Sequence, residues 1–202
     1  MLEPSDSAEC RDFILAAYVL SERFDTPVML RITTRVCHGK SVVVPGKRRE
    51  VPVQPFTGNP GKFALLPANA RKRHAAREQQ LLELADYAET CPLNRVEQRP
   101  GNTVGIVTSG VSYLYAREAF GDGADYLKLG LTYPLPKALL RDFCARYKTL
   151  YVIEENDPYL ETAVRAEGFL NAVGKARLPV LGELNSEIIR AALLGEPSFE
   201  AA

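Results

Sequence analysis

The sequence predicts an α/β protein of three layers, with helices on both faces of a mainly parallel sheet and a partial α/β segment ahead of it. From Thr103 onward, short apolar runs alternate with helical patterns, and the strand candidates start 22 and 24 residues apart, at Val104, Tyr126 and Leu150. These runs are almost wholly apolar instead of alternating, as parallel strands covered on both faces are. At 202 residues and 46% hydrophobic, the chain is long enough for one large domain or two small ones with a real core.

The elements follow in order. Asp6 is a good N-cap, and Glu9 completes a capping-box-like pair; Phe13, Ala16, Ala17, Leu20 and Phe24 then recur at helical spacing. Val28–Thr33 reads as a strand. One helix and one strand close no core, so this segment predicts a sheet edge left open. Residues 36–66 are rich in Pro and Gly, with valine runs at 42–44 and 51–53, and read as an extended linker with room for a short hairpin. A helix with Asn69 as N-cap runs to about Glu89 on the stripe Leu81, Leu84, Ala85 and Ala88, and Pro92 and Pro100 bracket the next connection. Strand Val104–Val107, helix Val111–Phe120, strand Tyr126–Leu131, helix Pro136–Tyr147 and strand Leu150–Ile153 then form a βαβαβ unit with right-handed crossovers. Asp157-Pro158 opens a further helix, with Asp as N-cap and Pro at the first helical position. Pro179–Leu181 is a candidate edge strand, and Asn185 caps a last helix that Gly195-Glu196-Pro197 ends.

Composition excludes several functions. The 25 basic and 25 acidic residues cancel, which points to neither nucleic acid nor an anionic membrane. No apolar run approaches the ~20 residues of a membrane helix, and Met1-Leu2-Glu3-Pro4-Ser5-Asp6 lacks the basic and apolar regions of a signal peptide, so a cytoplasmic location is expected. Cys10, Cys37, Cys91 and Cys144 are scattered with no C-x-x-C pair, against a zinc or iron–sulfur site, and read as free, buried thiols.

Local motifs read mostly as structure. Gly121-Asp122-Gly123 looks like the start of a metal–pyrophosphate motif but follows a helix instead of a strand, so a helix-to-strand turn explains it. Thr108-Ser109-Gly110 sits where α/β sheets bind ligands, yet lacks a phosphate-loop pattern and reads as a helix N-cap. Glu154, Glu155 and Asp157 could do acid–base work if burial split their pKa values, but are more simply helix-dipole partners or interface residues. Arg31, Arg35 and His38, at or past the carboxyl end of the first strand, are candidates for a substrate edge, since Arg clamps carboxylates. His74 alone is a poor metal ligand and reads as exposed or packing. Residues 40–77 carry nine basic side chains and one acid, Glu50. Arg71, Lys72 and Arg73 open a helix that ends in Glu83, Asp86 and Glu89, opposing its dipole at both ends. Either this is a solvated basic face or a docking strip for an acidic surface of another domain or subunit.

Several segments, in order, carry a family resemblance: Glu3-Pro4-Ser5-Asp6-Ser7, Leu30-Arg31-Ile32-Thr33-Thr34-Arg35, Leu66-Pro67-Ala68-Asn69-Ala70-Arg71-Lys72-Arg73, Ser109-Gly110-Val111-Ser112-Tyr113, Leu129-Gly130-Leu131-Thr132-Tyr133-Pro134, Val152-Ile153-Glu154-Glu155-Asn156-Asp157-Pro158 and Gly182-Glu183-Leu184-Asn185. Together they resemble the alpha subunit of indolepyruvate ferredoxin oxidoreductase, in the 2-oxoacid:ferredoxin oxidoreductase family. The resemblance implies that residues 1–38 are the tail of a pyrimidine-binding thiamine domain, 39–100 a linker with a basic helix, and 101–202 a domain like the transketolase C-terminal domain. It implies a parent enzyme that decarboxylates aryl 2-oxoacids such as indolepyruvate on thiamine diphosphate and Mg, passes the acyl group to coenzyme A and sends electrons through [4Fe-4S] clusters to ferredoxin. It implies as partners the remaining domains and a beta subunit. The cofactor glutamate is expected upstream of Met1 and the pyrophosphate and cluster domains beyond Ala202, so no cofactor or metal is expected within this segment, which alone should be inactive. The alternatives are a stand-alone, non-catalytic interaction module that kept the α/β fold, and a transketolase-like thiamine enzyme without clusters.

Overall fold

The computed structural model describes residues 1–48, 50–53, 55, 56 and 58–197. Arg49 of the basic stretch lies outside them. The helices are α1 (Ser7–Phe24), α2 (Thr34–His38), α3 (Pro60–Phe63), α4 (Pro67–Glu89), α5 (Ser112–Phe120), α6 (Lys137–Cys144), α7 (Tyr159–Ala166) and α8 (Ser186–Ile189), which runs on as a π-helical turn over Arg190–Leu194. The strands are β1 (Arg95–Glu97), β2 (Val104–Ser109), β3 (Asp125–Leu129) and β4 (Thr149–Ile153).

The sheet has four strands in the order β1-β3-β2-β4; β2 pairs in parallel with β3 and β4, and β1 runs antiparallel along β3. The mainly parallel α/β architecture is as expected. Strand side chains alternate between two cores. Val107, Leu127, Leu129 and Val152 meet Leu140, Phe143, Leu160 and Val164 of α6 and α7 on one face. Ile106, Tyr126 and Ile153 meet Tyr113, Ala116 and Ile189 of α5 and α8 on the other. Helices on both faces satisfy two apolar surfaces at once, which is why these strands read as continuous apolar runs. Gly105 is required in β2, because a Cβ there would come within 2.4 Å of the Tyr147 ring.

Several local expectations are corrected. Val28–Thr33 is extended but forms no strand: Leu30 makes only a bridge to Leu2, because no neighbouring strand offers a ladder. Leu2 N donates to Met29 O at 2.8 Å and Arg31 N to Leu2 O at 2.9 Å. The chain then turns into α2, so Arg35 and His38 lie on a short helix. Pro179–Leu181 is no edge strand; the edge beside β3 is taken by β1, and beside β4 Tyr151 bridges Val173. Asn69 is not an N-cap: α4 begins at Pro67, whose missing N–H costs nothing at a first helical position, and Asn69 Nδ2 donates to Ala64 O at 3.2 Å. Ser109 and Asp157 do not cap α5 and α7, whose N-caps are Val111 and Pro158. Asp6 does cap α1, and Asn185 accepts from Ile188 N at 2.8 Å to cap α8. Cys91 and Cys144 are buried and free, but Cys10 is half-buried and Cys37 exposed.

The N-terminal segment joins the sheet domain. Leu2, Phe13, Ala17, Leu20 and Phe24 form a third core with Leu84, Ala88, Cys91 and Leu131. The opposite side of α1, with Ile14, Leu15, Tyr18 and Val19, faces outward.

Candidate functional site

Crossover α5 carries the chain from β2 to β3 on one face of the sheet, and α6 carries it from β3 to β4 on the other. β3 and β4 therefore flank β2 on opposite sides. Their connections leave the carboxyl ends of β2 and β4 splayed, and a crevice forms there, at the point where the strand order reverses. It measures about 270 Å³ and is lined by Glu3, Arg31, Thr33, Ser109, Gly110, Glu154, Glu155 and Tyr159 among others. Gly110 turns the chain out of β2 at φ +52°, with the Glu3 carboxylate 3.7 Å from where a Cβ would sit. This left-handed conformation is one that glycine alone adopts freely.

Glu3 is the hub. It is 4% exposed and its carboxylate accepts from Ser109 Oγ at 2.7 Å and Thr132 Oγ1 at 3.2 Å. Arg31 Nη1 pairs with it at 3.2 Å while keeping 42% of its side chain exposed. Across the crevice, Glu154 accepts from Leu160 N at 2.8 Å and Glu161 N at 2.9 Å, so it caps α7 from the preceding loop. Burial pushes the Glu154 carboxyl up, and those N–H groups only partly offset it. Tyr159 donates its hydroxyl to Thr132 O at 2.7 Å, and burial, then Glu3, push its phenol up. Thr33 Oγ1 is buried and has no hydrogen-bond partner among the described residues. The ionisable groups lining the crevice are thus the Met1 ammonium, Arg31, Glu3, Glu154 and Glu155, with Arg31 the exposed cation among the side chains.

The structure brings Arg31, Glu154 and Glu155 to one cleft. Arg35 reaches away to an ion pair with Glu183, and both line a second depression that shares Arg31, Thr33 and Glu155 with the first. His38 ends α2 with its side chain exposed. Arg71, Lys72 and Arg73 lie elsewhere, on exposed turns of α4; Arg73 Nη2 is 3.7 Å from Asp25, and His74 pairs with Glu78 at 3.2 Å.

Sequence reading missed Glu3 as a site residue although Glu3-Pro4-Ser5-Asp6-Ser7 stood out. It also missed Lys128, whose signal was a lone lysine in an apolar strand. Lys128 is fully buried on β3, paired with Glu9, its ammonium 5.2 Å from the Phe13 ring centre. Burial pushes the Lys128 ammonium down and Glu9 opposes this.

The donor sets of the described residues do not fit a resident metal or cluster. Among the described residues no three His, Cys, Asp or Glu side chains are placed to hold a metal ion. The cysteines sit on separate elements, and Asp122 of the Gly121-Asp122-Gly123 turn pairs with Arg99 at 2.8 Å and Arg117 at 3.5 Å. No helix among the described residues is long and apolar enough to cross a membrane.

No family model matches the chain. It is 38% identical to indolepyruvate oxidoreductase subunit IorA of Methanothermobacter thermautotrophicus over 99% of its own length and 35% of that protein. It is 34% identical to the same subunit of Archaeoglobus fulgidus over 87% of its length and 29% of that protein. A 2-oxoglutarate:ferredoxin oxidoreductase from Magnetococcus marinus, solved with 2-oxoglutarate, coenzyme A and succinyl-CoA, aligns over 62% of this chain and 23% of its own, with TM-score 0.46 and 26% identity. The chain spans about a third of the length of the curated relatives it matches. Along nearly its whole length, it is thus a homologue of a third of the indolepyruvate oxidoreductase subunit IorA.

Proposed function

We propose that this chain is the domain-positioning and interface segment of a thiamine diphosphate-dependent 2-oxoacid:ferredoxin oxidoreductase acting on aryl 2-oxoacids such as indolepyruvate. The observation that carries the reading is the match to subunit IorA over nearly every residue. In this reading thiamine diphosphate, Mg and [4Fe-4S] clusters are held by other domains and a beta subunit, with coenzyme A as acyl acceptor and ferredoxin as electron acceptor. The cofactors supply the carbanion and electron-transfer chemistry. This chain's own residues build a rigid edge beside it. In this reading residues 1–38 are the tail of a pyrimidine-binding domain, 39–100 a linker and 101–202 a transketolase C-terminal-like domain, with the first held to the third through Glu3 and Glu9.

Arg31, Arg35 and His38 are proposed to border the substrate path. Arg31 lines the crevice, is 42% exposed and pairs with Glu3. Arg71, Lys72, Arg73, Glu154 and Glu155 are proposed as interface residues, the first three as a docking strip. The test is the complete enzyme carrying Arg31→Ala. The expected result is a KM for indolepyruvate raised about tenfold with kcat nearly unchanged, the sign of lost binding and not of lost chemistry. An unchanged KM removes Arg31 from the substrate path. Reversing Arg71, Lys72 and Arg73 to Glu should weaken subunit association and its salt dependence.

A further inference from the structure

α4 shows two sides of opposite character. Leu84 and Ala88 are buried against the body, and Arg77 Nη1 reaches Thr26 Oγ1 at 2.6 Å. The residues before Gln80 are almost all exposed. At about 3.6 residues per turn, Ala68, Arg71, Lys72, Ala75, Leu82, Glu83 and Asp86 fall within one arc of about 120°, directly opposite Leu84 and Ala88. All seven are exposed, Leu82 by 63%. The outward face therefore has an apolar spine, Ala68, Ala75 and Leu82, spaced by one heptad. It is flanked by cations at the amino end and anions at the carboxyl end.

These charges have few local partners. Among the described residues Arg71, Lys72, Glu83 and Asp86 form no ion pair; Glu83 accepts only from Gln79 Nε2, at 3.2 Å. Within one helix the arrangement is unfavourable, because cations crowd the positive end of the dipole and anions the negative end. An antiparallel neighbour with the same pattern reverses both penalties. With a two-fold axis near Arg77 and Glu78, Arg71 and Lys72 lie about 8–10 Å to one side, and Glu83 and Asp86 about 8–13 Å to the other. Rotation by the axis brings each basic pair beside the acidic pair of the second helix, and Leu82 beside the small residue Ala75. This is the self-complementary contact a two-fold dimer requires.

We propose that the outward face of α4 is a homodimer contact, in which α4 pairs antiparallel with α4 of a second copy of this chain through Arg71 and Lys72 against Glu83 and Asp86. It deepens the docking-strip reading above by naming the acidic surface. A contact of one helix pair is small, so the dimer should be weak and salt-sensitive.

The test is sedimentation equilibrium of this chain in low salt at about 100 µM, where a contact this small becomes populated. The wild-type chain should approach twice its 22.3 kDa mass. Arg71→Glu with Lys72→Glu, and separately Glu83→Lys with Asp86→Lys, should each raise the dimer Kd about tenfold or more, since each sets like charges together. The quadruple variant, which exchanges the signs, should dimerise again. A monomeric wild-type chain overturns the proposal, as does a dimer indifferent to either double variant or one the quadruple variant fails to restore. If the chain is monomeric while reversal of Arg71, Lys72 and Arg73 still weakens assembly of the complete enzyme, the strip docks on another surface and only the self-pairing falls.

Discussion

At the scale of single residues, buried ionic groups stitch the first segment to the sheet. Glu9 was legible as a capping residue, and it does accept from Ser5 N and Ser5 Oγ at 2.8 and 2.7 Å. It also pairs with buried Lys128, and with Arg95 at 3.1 Å. Burial pushes the Glu9 carboxyl up, but Lys128 and Ser5 together hold it below the usual range. Glu9→Gln should cost about 3–5 kcal/mol in urea denaturation, because it strands a buried ammonium, whereas Glu9→Gln with Lys128→Met should recover most of that. A single variant within 1 kcal/mol of wild type, as for exposed pairs, would show that Lys128 is hydrated. Asp125 makes a pH-dependent counterpart at the other end of β3. Burial raises its carboxyl, but Tyr147 Oη, Asn102 Nδ2 and Arg99 N, at 2.6, 2.8 and 2.9 Å, bring it below the usual range. A depressed folded pKa stabilises above the ordinary aspartate value of ~3.9 and is lost as pH falls through the lowered value. Asp125→Asn should therefore be about 1–3 kcal/mol less stable at pH 7, and the gap should close in acid. A gap independent of pH would assign the loss to packing.

At the scale of elements, the helices divide by how they are anchored. α8 is only four residues before its π turn and depends on its cap, so Asn185→Ala should destabilise the fold by about 1 kcal/mol, read from the thermal midpoint. The described residues of the segment 39–66 are mostly exposed. Val42, Val44, Val51, Val53, Phe56 and Leu65 are between 74% and 95% exposed, and α3 is its only helix among the described residues. Limited proteolysis should cut there first. The nicked halves should still co-elute in gel filtration, because Glu3, Glu9 and the α1–α4 core join residues 1–38 to the remainder. Separation of the pieces would mean that the first segment only rests on the sheet domain.

At the scale of the whole molecule, the chain combines a four-stranded α/β sheet with an outward apolar side of α1 and a largely exposed amino-terminal half of α4. Calorimetry of the isolated chain with thiamine diphosphate and Mg should show no binding, and a micromolar Kd, about −8 kcal/mol, would remove the interface-segment reading. The βαβαβ unit was legible in the sequence, because period and apolar runs are local signals that any parallel sheet must carry. So were the caps at Asp6 and Asn185 and the family likeness, which ordered motifs encode directly. The remaining features depend on contacts between distant parts of the chain. Val28–Thr33 looks like a strand, but a strand exists only where a neighbour supplies its hydrogen bonds, and Leu2 supplies a single bridge. β1, three residues long, has too little pattern to be legible until β3 offers it an edge. The crevice joins Glu3, Arg31, Ser109 and Glu154, residues up to 151 positions apart, since Glu3 and Glu154 bound it. No local spacing encodes that meeting; it follows from the reversal of strand order at β2.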